Sequence, residues 1–150
     1  MVRSGEIILF FDPRSENGYL SNFYRAGFEL DKEVWLSSEH YYQAKKFTGT
    51  HYQEVIRHAD SPAKAAQLGR NAPLDIRVDW DDVKLNVMEK AVREKFRQNM
   101  DLCLMLKETG AAELVEHTDK DSFWGDGGDG SGSNMLGKLI MNVRETMVAK

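Results

Sequence analysis

One cysteine, three prolines and no apolar run long enough to cross a bilayer set the first limits on this 150-residue chain. Cys103 alone excludes an intramolecular disulfide. With no second thiol or histidine at ligand spacing it also excludes a zinc pattern, which leaves a buried core thiol as its reading. The apolar run over residues 7–11 stops at Asp12-Pro13, too short for a signal-peptide core, so the expectation is a cytoplasmic protein without a membrane segment. Basic charge is not in excess either. A formal net charge of −4 excludes broad attraction to a nucleic-acid backbone, so an anionic ligand has to be held by a few local cations.

What is present is an ordinary globular composition, 41% hydrophobic and 29% charged, at a length typical of one domain with a real core. Residues 6–11 read as a strand, and residues 28–35 as two short strands about a turn at Asp31-Lys32. Between them, residues 17–24 form a turn-rich segment with three aromatics, suited to lining a pocket. Ser37 or Ser38 caps a helix to about Phe47, a short helix covers residues 52–59, and Ser61-Pro62 opens another that runs to Gly69. The longest helix begins near Asp81, with Val83, Val87, Met88, Ala91, Val92 and Phe96 as its apolar stripe. A helix over 101–109 closed by Gly110, a strand over 114–118 and a last helix over 134–147 complete a helix-rich α+β reading: a single domain with short strands. Leu136, Ile140, Val143 and Met147 are the inward positions of that last helix.

The chemistry concentrates in two places. On an ideal helix Glu39, Tyr42, Gln43 and Lys46 lie within an arc of about 100°, beside a more apolar arc of His40, Ala44 and Phe47. Such a face is either a solvated stripe with a charged pair or a functional surface, in which the helix N-terminus helps keep Glu39 ionised. The second place is Asp121-Ser122-Phe123-Trp124-Gly125-Asp126, which runs into a segment with five glycines between Gly125 and Gly132 and then Asn134. Asp121 is a turn residue or a functional carboxylate, and Trp124 is core filler or a stacking platform. The glycine segment lacks the spacing of a phosphate-binding P-loop, a dinucleotide fingerprint or a calcium loop. It reads as a plain surface loop, or as one whose open amides at the Asn134 helix contact a sugar, with Asp126 and Asp129 opposing an anion. Arg70, at a helix end, suits either a phosphate or the helix dipole. The dispersed histidines show no metal pattern, and neither a metal nor a cofactor is expected.

These residues resemble the NADAR family, and within it the YbiA-like N-glycosidases of riboflavin-biosynthesis intermediates. The likeness runs through Leu20-Ser21-Asn22-Phe23-Tyr24, Trp35, the stretch from Ser38-Glu39-His40 to Lys46-Phe47, Leu68-Gly69-Arg70, Trp80, Met88 and Lys95-Phe96. It continues in Leu114-Val115-Glu116-His117-Thr118, Asp121, Trp124-Gly125-Asp126-Gly127, Asn134-Met135-Leu136-Gly137 and Arg144.

The resemblance implies cleavage of an N-glycosidic bond between ribose and a nitrogen base. The substrate is a phosphoribosylamino-pyrimidine or, alternatively, ADP-ribose on guanine, with nucleic acid only as such a modified substrate. A non-catalytic ADP-ribose-binding module is the reading of a different class. Carried onto this sequence, Glu39 and Asp121 are the expected carboxylates, and Lys46 is an imine-forming amine, a phosphate cation or a partner of Glu39. Trp124, Trp80 and Tyr42 are the expected stacking groups, and Asn22 and Gln43 orient hydroxyls. Arg70, Gly125, Asp126 and Asn134 complete the expected substrate-binding set.

Overall fold

The computed structural model describes residues 5–148. In chain order its elements are β1 (Ile7–Phe10), a 3-10 turn (Gly18–Leu20), β2 (Phe28–Leu30), β3 (Glu33–Trp35), α1 (Ser38–Lys45), α2 (His51–Arg57), α3 (Pro62–Arg70), α4 (Trp80–Gln98), α5 (Met100–Glu108), β4 (Glu113–Glu116) and α6 (Met135–Val148). This is the α+β fold that the sequence predicts, with helices as its bulk. Its contacts divide it into two compact units: Asn22–Gln98, and the chain up to Ser21 together with the chain from Asn99 onward.

In the unit Asn22–Gln98, β2 and β3 form an antiparallel hairpin that sets Phe28 opposite Trp35 and Leu30 opposite Glu33. Asp31 and Lys32 both take positive φ, 57° and 65°, which a two-residue hairpin turn requires so that its twist matches that of the strands. The Asp31 carboxylate is used as well, accepting from the Tyr41 hydroxyl at 2.7 Å and from the Lys45 ammonium at 3.1 Å.

Ser37, not Ser38, caps α1, its hydroxyl accepting the His40 amide at 3.2 Å. Ser61 caps α3 in the same way, with Pro62 in the first turn as the sequence predicts. Helix α4 starts one residue ahead of expectation, at Trp80, and buries Val87, Met88, Ala91, Val92 and Phe96 while Val83 stays half-buried. Together with Trp35, Ala44, Phe47, Ile56, Ala65 and Ala66 these side chains make the core of the unit. Each large member contributes about 2 kcal/mol by leaving water.

Helix α1 has no solvent face over Ser38 to Ala44, since every residue there is buried. Its polar side chains therefore have to find partners inside the protein. His40 does so with both ring nitrogens: Nε2 is 2.9 Å from the Ala59 carbonyl and Nδ1 is 2.7 Å from the Ser37 hydroxyl. A carbonyl can only accept, so Nε2 carries the proton and Nδ1 receives one from Ser37. Burial lowers the pKa of the ring, consistent with a neutral structural histidine.

In the other unit β1 pairs in parallel with β4, Ile7 with Glu113 and Phe10 with Glu116. Helix α6 packs on β4, and α5 packs on α6. Leu102, Leu106, Leu114, Leu136, Ile140 and Val143 fill the space between them. Buried Arg144 donates to the Thr109 hydroxyl at 2.9 Å. Cys103 is half-buried beside the Met147 sulfur at 3.7 Å, a more peripheral place than the core thiol predicted for it. Strand β4 stops at Glu116, short of the expected residue 118, because the Thr118 amide turns away to the Asp126 carboxylate.

Candidate active site

In the unit Asn22–Gln98 the sequence-predicted residues Asn22, Glu39, Tyr42, Gln43, Lys46 and Trp80 gather around α1. The expectation of a possible solvated stripe fails here, since Glu39, Tyr42 and Gln43 are all at least nine-tenths buried. Glu39 sits in the first turn of α1, and one turn later Gln43 Nε2 donates to Glu39 Oε2 at 2.7 Å. The Glu39 amide donates to the Asn22 carbonyl at 3.2 Å. The Asn22 side chain is committed on both sides, accepting from the Ser38 hydroxyl at 2.7 Å and reaching the Met88 sulfur at 3.3 Å. Asn22 thereby fixes the start of α1 against α4.

The Lys46 ammonium lies 5.5 Å from the centroid of the Tyr42 ring, and that ring in turn packs on Trp80 at 5.1 Å. Burial lowers the Lys46 pKa, the Glu39 carboxylate raises it, and the cations of Arg70 and Lys84 lower it further. The result is a carboxylate and an amine in one partly desolvated cluster with aromatic walls. Arg70 reaches the cluster through its charge, from an exposed position at the end of α3.

Lys84 was not singled out by the sequence. It follows Trp80 by one helical turn and so shares its face of α4, and its ammonium is 3.4 Å from the exposed Asp81 carboxylate. That i, i+4 relation to Trp80 is the signal that would have found it. Gly69 is the other omission: the Gln43 Oε1 stands where only a glycine on α3 leaves room.

In the other unit the structure brings together Asp121, Trp124, Gly125, Asp126 and Asn134. Asp121 Oδ1 accepts the amides of Phe123 at 2.9 Å and Trp124 at 2.8 Å, which folds the chain into a tight turn that presents both carboxylate and indole. Phe123 meets Trp124 edge-on at 4.9 Å, and Trp124 itself is half-buried. Gly125 is required by close approach, since a Cβ there would stand 2.7 Å from the Thr118 methyl and 2.9 Å from the Asp121 carbonyl.

The Asp126 carboxylate accepts from the Thr118 amide at 3.0 Å and the Gly128 amide at 2.8 Å, and its other oxygen meets His117 Nδ1 at 2.7 Å. These partners, His117 first, lower its pKa. Asn134, at φ 51°, accepts the Glu116 amide at 2.9 Å and donates to the Leu114 carbonyl at 2.9 Å.

One expectation is corrected in this unit. The first amides at the head of α6 are already bonded, Asn134 to Gly125, Met135 to Phe123 and Leu136 to Trp124. They are not open to a sugar oxygen, because the loop caps the helix itself. In the same loop Asp121 and Trp124 are half-buried.

Among the described residues no group of His, Cys, Asp and Glu is arranged to hold a metal ion, and no helix is long and apolar enough to cross a membrane. A shallow depression lined by Leu9, Phe10, Phe11, Ser15 and His117 contains none of the sequence-predicted residues.

The NADAR domain model matches residues 9–148. N-glycosidase YbiA of Escherichia coli (strain K12) is 44% identical over 146 residues, covering 97% of this chain and 91% of that protein. An N-glycosidase of Nostoc punctiforme is 41% identical, with 92% of this chain and 90% of the relative covered. A riboflavin biosynthesis protein of Vibrio vulnificus is 46% identical over 93% of this chain, which spans 38% of that longer protein. The NMR structure of the E. coli protein YbiA superposes with a TM-score of 0.91 at 43% identity, covering 99% of this chain and 88% of that one.

Proposed function

The chain belongs to the NADAR family, and from that premise we propose that it is an N-glycosidase of phosphoribosylamino-pyrimidine intermediates of riboflavin biosynthesis, releasing ribose 5-phosphate and the free pyrimidine. The match over residues 9–148 supports reading the chain as one NADAR domain. The relatives named N-glycosidase and riboflavin biosynthesis protein support the reaction and its pathway. On this reading the substrate is a small molecule and the place of action is the cytoplasm.

The observation that carries the reading is a buried carboxylate, Glu39, held by Gln43 at 2.7 Å in one cluster with the Lys46 amine. Breaking a ribosyl C–N bond builds positive charge on the sugar, and a fixed anion in a water-poor site stabilises it far more than it would in bulk water. The departing nitrogen needs a proton, which the Lys46 ammonium supplies, and Asp121 is the second carboxylate that the family resemblance implies. Once neutral, the Lys46 amine bonds to the anomeric carbon as the base leaves. The resulting glycosylamine opens to an imine when the ring oxygen takes the N–H proton, and water then releases the sugar and regenerates the amine. Tyr42 and Trp80 offer flat apolar faces that suit a pyrimidine, and the Trp124 ring is a further stacking group that the family resemblance implies. Arg70 and Lys84 supply positive charge for the phosphate.

The test is to incubate purified protein with the phosphoribosylamino-pyrimidine and, separately, with ADP-ribosylated guanosine, following free base and sugar phosphate by mass spectrometry. Release from the pyrimidine, lost in Glu39→Gln and reduced in Asp121→Asn, is the expected result. Release from guanosine alone would reassign the substrate to ADP-ribose on guanine, and binding of either compound without release would make the protein a binding module. Wild-type turnover by both variants would remove the carboxylates from the mechanism.

A further inference from the structure

The sequence reading has Gln43 orient a substrate hydroxyl, but its amide nitrogen is already committed to Glu39 and its amide oxygen is packed away from solvent. The Nε2 donates to Glu39 Oε2 at 2.7 Å, one turn back along α1. The Oε1 is buried with no hydrogen-bond partner, and it rests against the backbone of Gly69 in α3. A Cβ at position 69 would stand 2.0 Å from Oε1, 2.7 Å from Cδ and 3.1 Å from Cβ of Gln43. The amide cannot be turned over without cost, because that would set a carbonyl oxygen against a carboxylate and lose the one hydrogen bond it makes. An orphaned buried acceptor is tolerated here because the opposite end of the same amide is bonded to a charge, the stronger kind of hydrogen bond.

We infer that Gly69 and Gln43 form a positioning device for Glu39: the bare backbone of α3 at Gly69 leaves the one space in which the Gln43 amide can reach back and fix the carboxylate. This goes beyond a substrate-contact role for Gln43, and it rests on the reading of Glu39 as the catalytic carboxylate. Gln43 and Gly69 are positioning residues that act through Glu39. The nearest atom met by a Cβ at 69 is the far end of a flexible side chain, so an alanine there is accommodated by moving the amide. Its effect falls on the Glu39 contact more than on the fold.

The experiment is a double-mutant cycle on release of free pyrimidine from the phosphoribosylamino-pyrimidine, with melting temperature and circular dichroism recorded for each variant. Gly69→Ala is expected to lower kcat about tenfold or more, the size of a lost hydrogen bond to a charged group, with KM changed by less than about threefold. Gln43→Ala is expected to do the same. In the Gln43→Ala background, Gly69→Ala should have little further effect, because the side chain it displaces is gone. The truncated background also relieves the clash, so a folding failure of the single Gly69→Ala variant would not hide the coupling.

Independent, additive losses in the double variant would overturn the inference, as would wild-type kcat in folded Gly69→Ala. Glu39→Gln is assayed alongside. If it is inactive while the other two losses are additive, the positioning device fails and the catalytic reading stands. If it turns over like wild type, the catalytic reading falls and takes the device with it.

Discussion

His117 Nδ1 meets Asp126 Oδ2 at 2.7 Å, and the second oxygen of the same carboxylate receives the amides of Thr118 and Gly128. One side chain thus ties the end of β4 to the glycine segment that follows Asp121 and Trp124. Asp126→Ala should lower stability by about 2 kcal/mol, since three donors lose their acceptor. The Asp126 pKa is lowered in the folded protein from its ordinary 3.8, so the unfolded chain takes up this proton first. Its contribution is therefore complete above pH 3.8 and fades as pH falls through the lower folded value. Urea unfolding of wild type and variant should show a stability gap at neutral pH that narrows in acid. A gap that stays constant with pH would contradict the account.

Lys95 reports at the other end of the pH scale. It is almost wholly enclosed in α4, with its ammonium 5.1 Å from the Phe96 ring and 5.8 Å from the Tyr24 ring, and burial lowers its pKa from 10.5 to about 7. Between those two values the unfolded chain holds a proton that the folded one sheds, so the Lys95 contribution to stability rises with pH across that window. The difference in unfolding free energy between wild type and Lys95→Met should grow in favour of wild type between about pH 7 and 9, by at most about 1.4 kcal/mol per pH unit. Parallel profiles would mean that the amine titrates normally.

Lys32 occupies the second position of the β2–β3 turn at φ 65°, a conformation that strains a side-chain-bearing residue. Its neighbour Asp31 has compensating bonds to Tyr41 and Lys45, so Lys32 is the residue to change. Lys32→Gly should raise stability by about 0.5–1 kcal/mol, seen as a higher urea midpoint at unchanged slope. A lower midpoint would mean that the loss of unfolded-chain restriction outweighs the relief of strain.

Lys46 carries a chemical prediction. Its lowered pKa raises the share of neutral amine at neutral pH, the form that attacks an anomeric carbon. Borohydride added during turnover should reduce an imine and leave a sugar phosphate on the peptide containing Lys46, and none in Lys46→Met. Turnover with no trapped sugar in wild type would assign the attack to water.

Much of the fold is legible locally. The Ser61-Pro62 start of α3, the apolar stripe of α4 from Val87 to Phe96 and the Asp31-Lys32 turn each follow from a few adjacent residues whose backbone preferences agree. Glu39, Tyr42, Gln43 and Lys46 could be grouped on one helical face from their spacing alone, and the family resemblance marked Asp121 and Trp124 as more than turn residues.

Spacing could not say whether that face meets water or protein. The answer lies in β3, α2, α3 and α4, which enclose α1 and turn an apparent surface stripe into a buried cluster. Lys84 joins it through charge, marked in the sequence only by its i, i+4 spacing from Trp80, and Gly69 joins it through lack of a side chain, which has no signature in the residues next to it. The amides at the head of α6 looked open in the sequence and are closed by Gly125, Phe123 and Trp124, chain neighbours only after the loop has folded back. By itself the sequence determined which elements form and which residue types face one another along a single helix, because these depend on local dihedral preference and periodicity. Tertiary structure decided burial, the partner of each polar atom and the charge each amine feels, because those depend on groups that are distant in the chain.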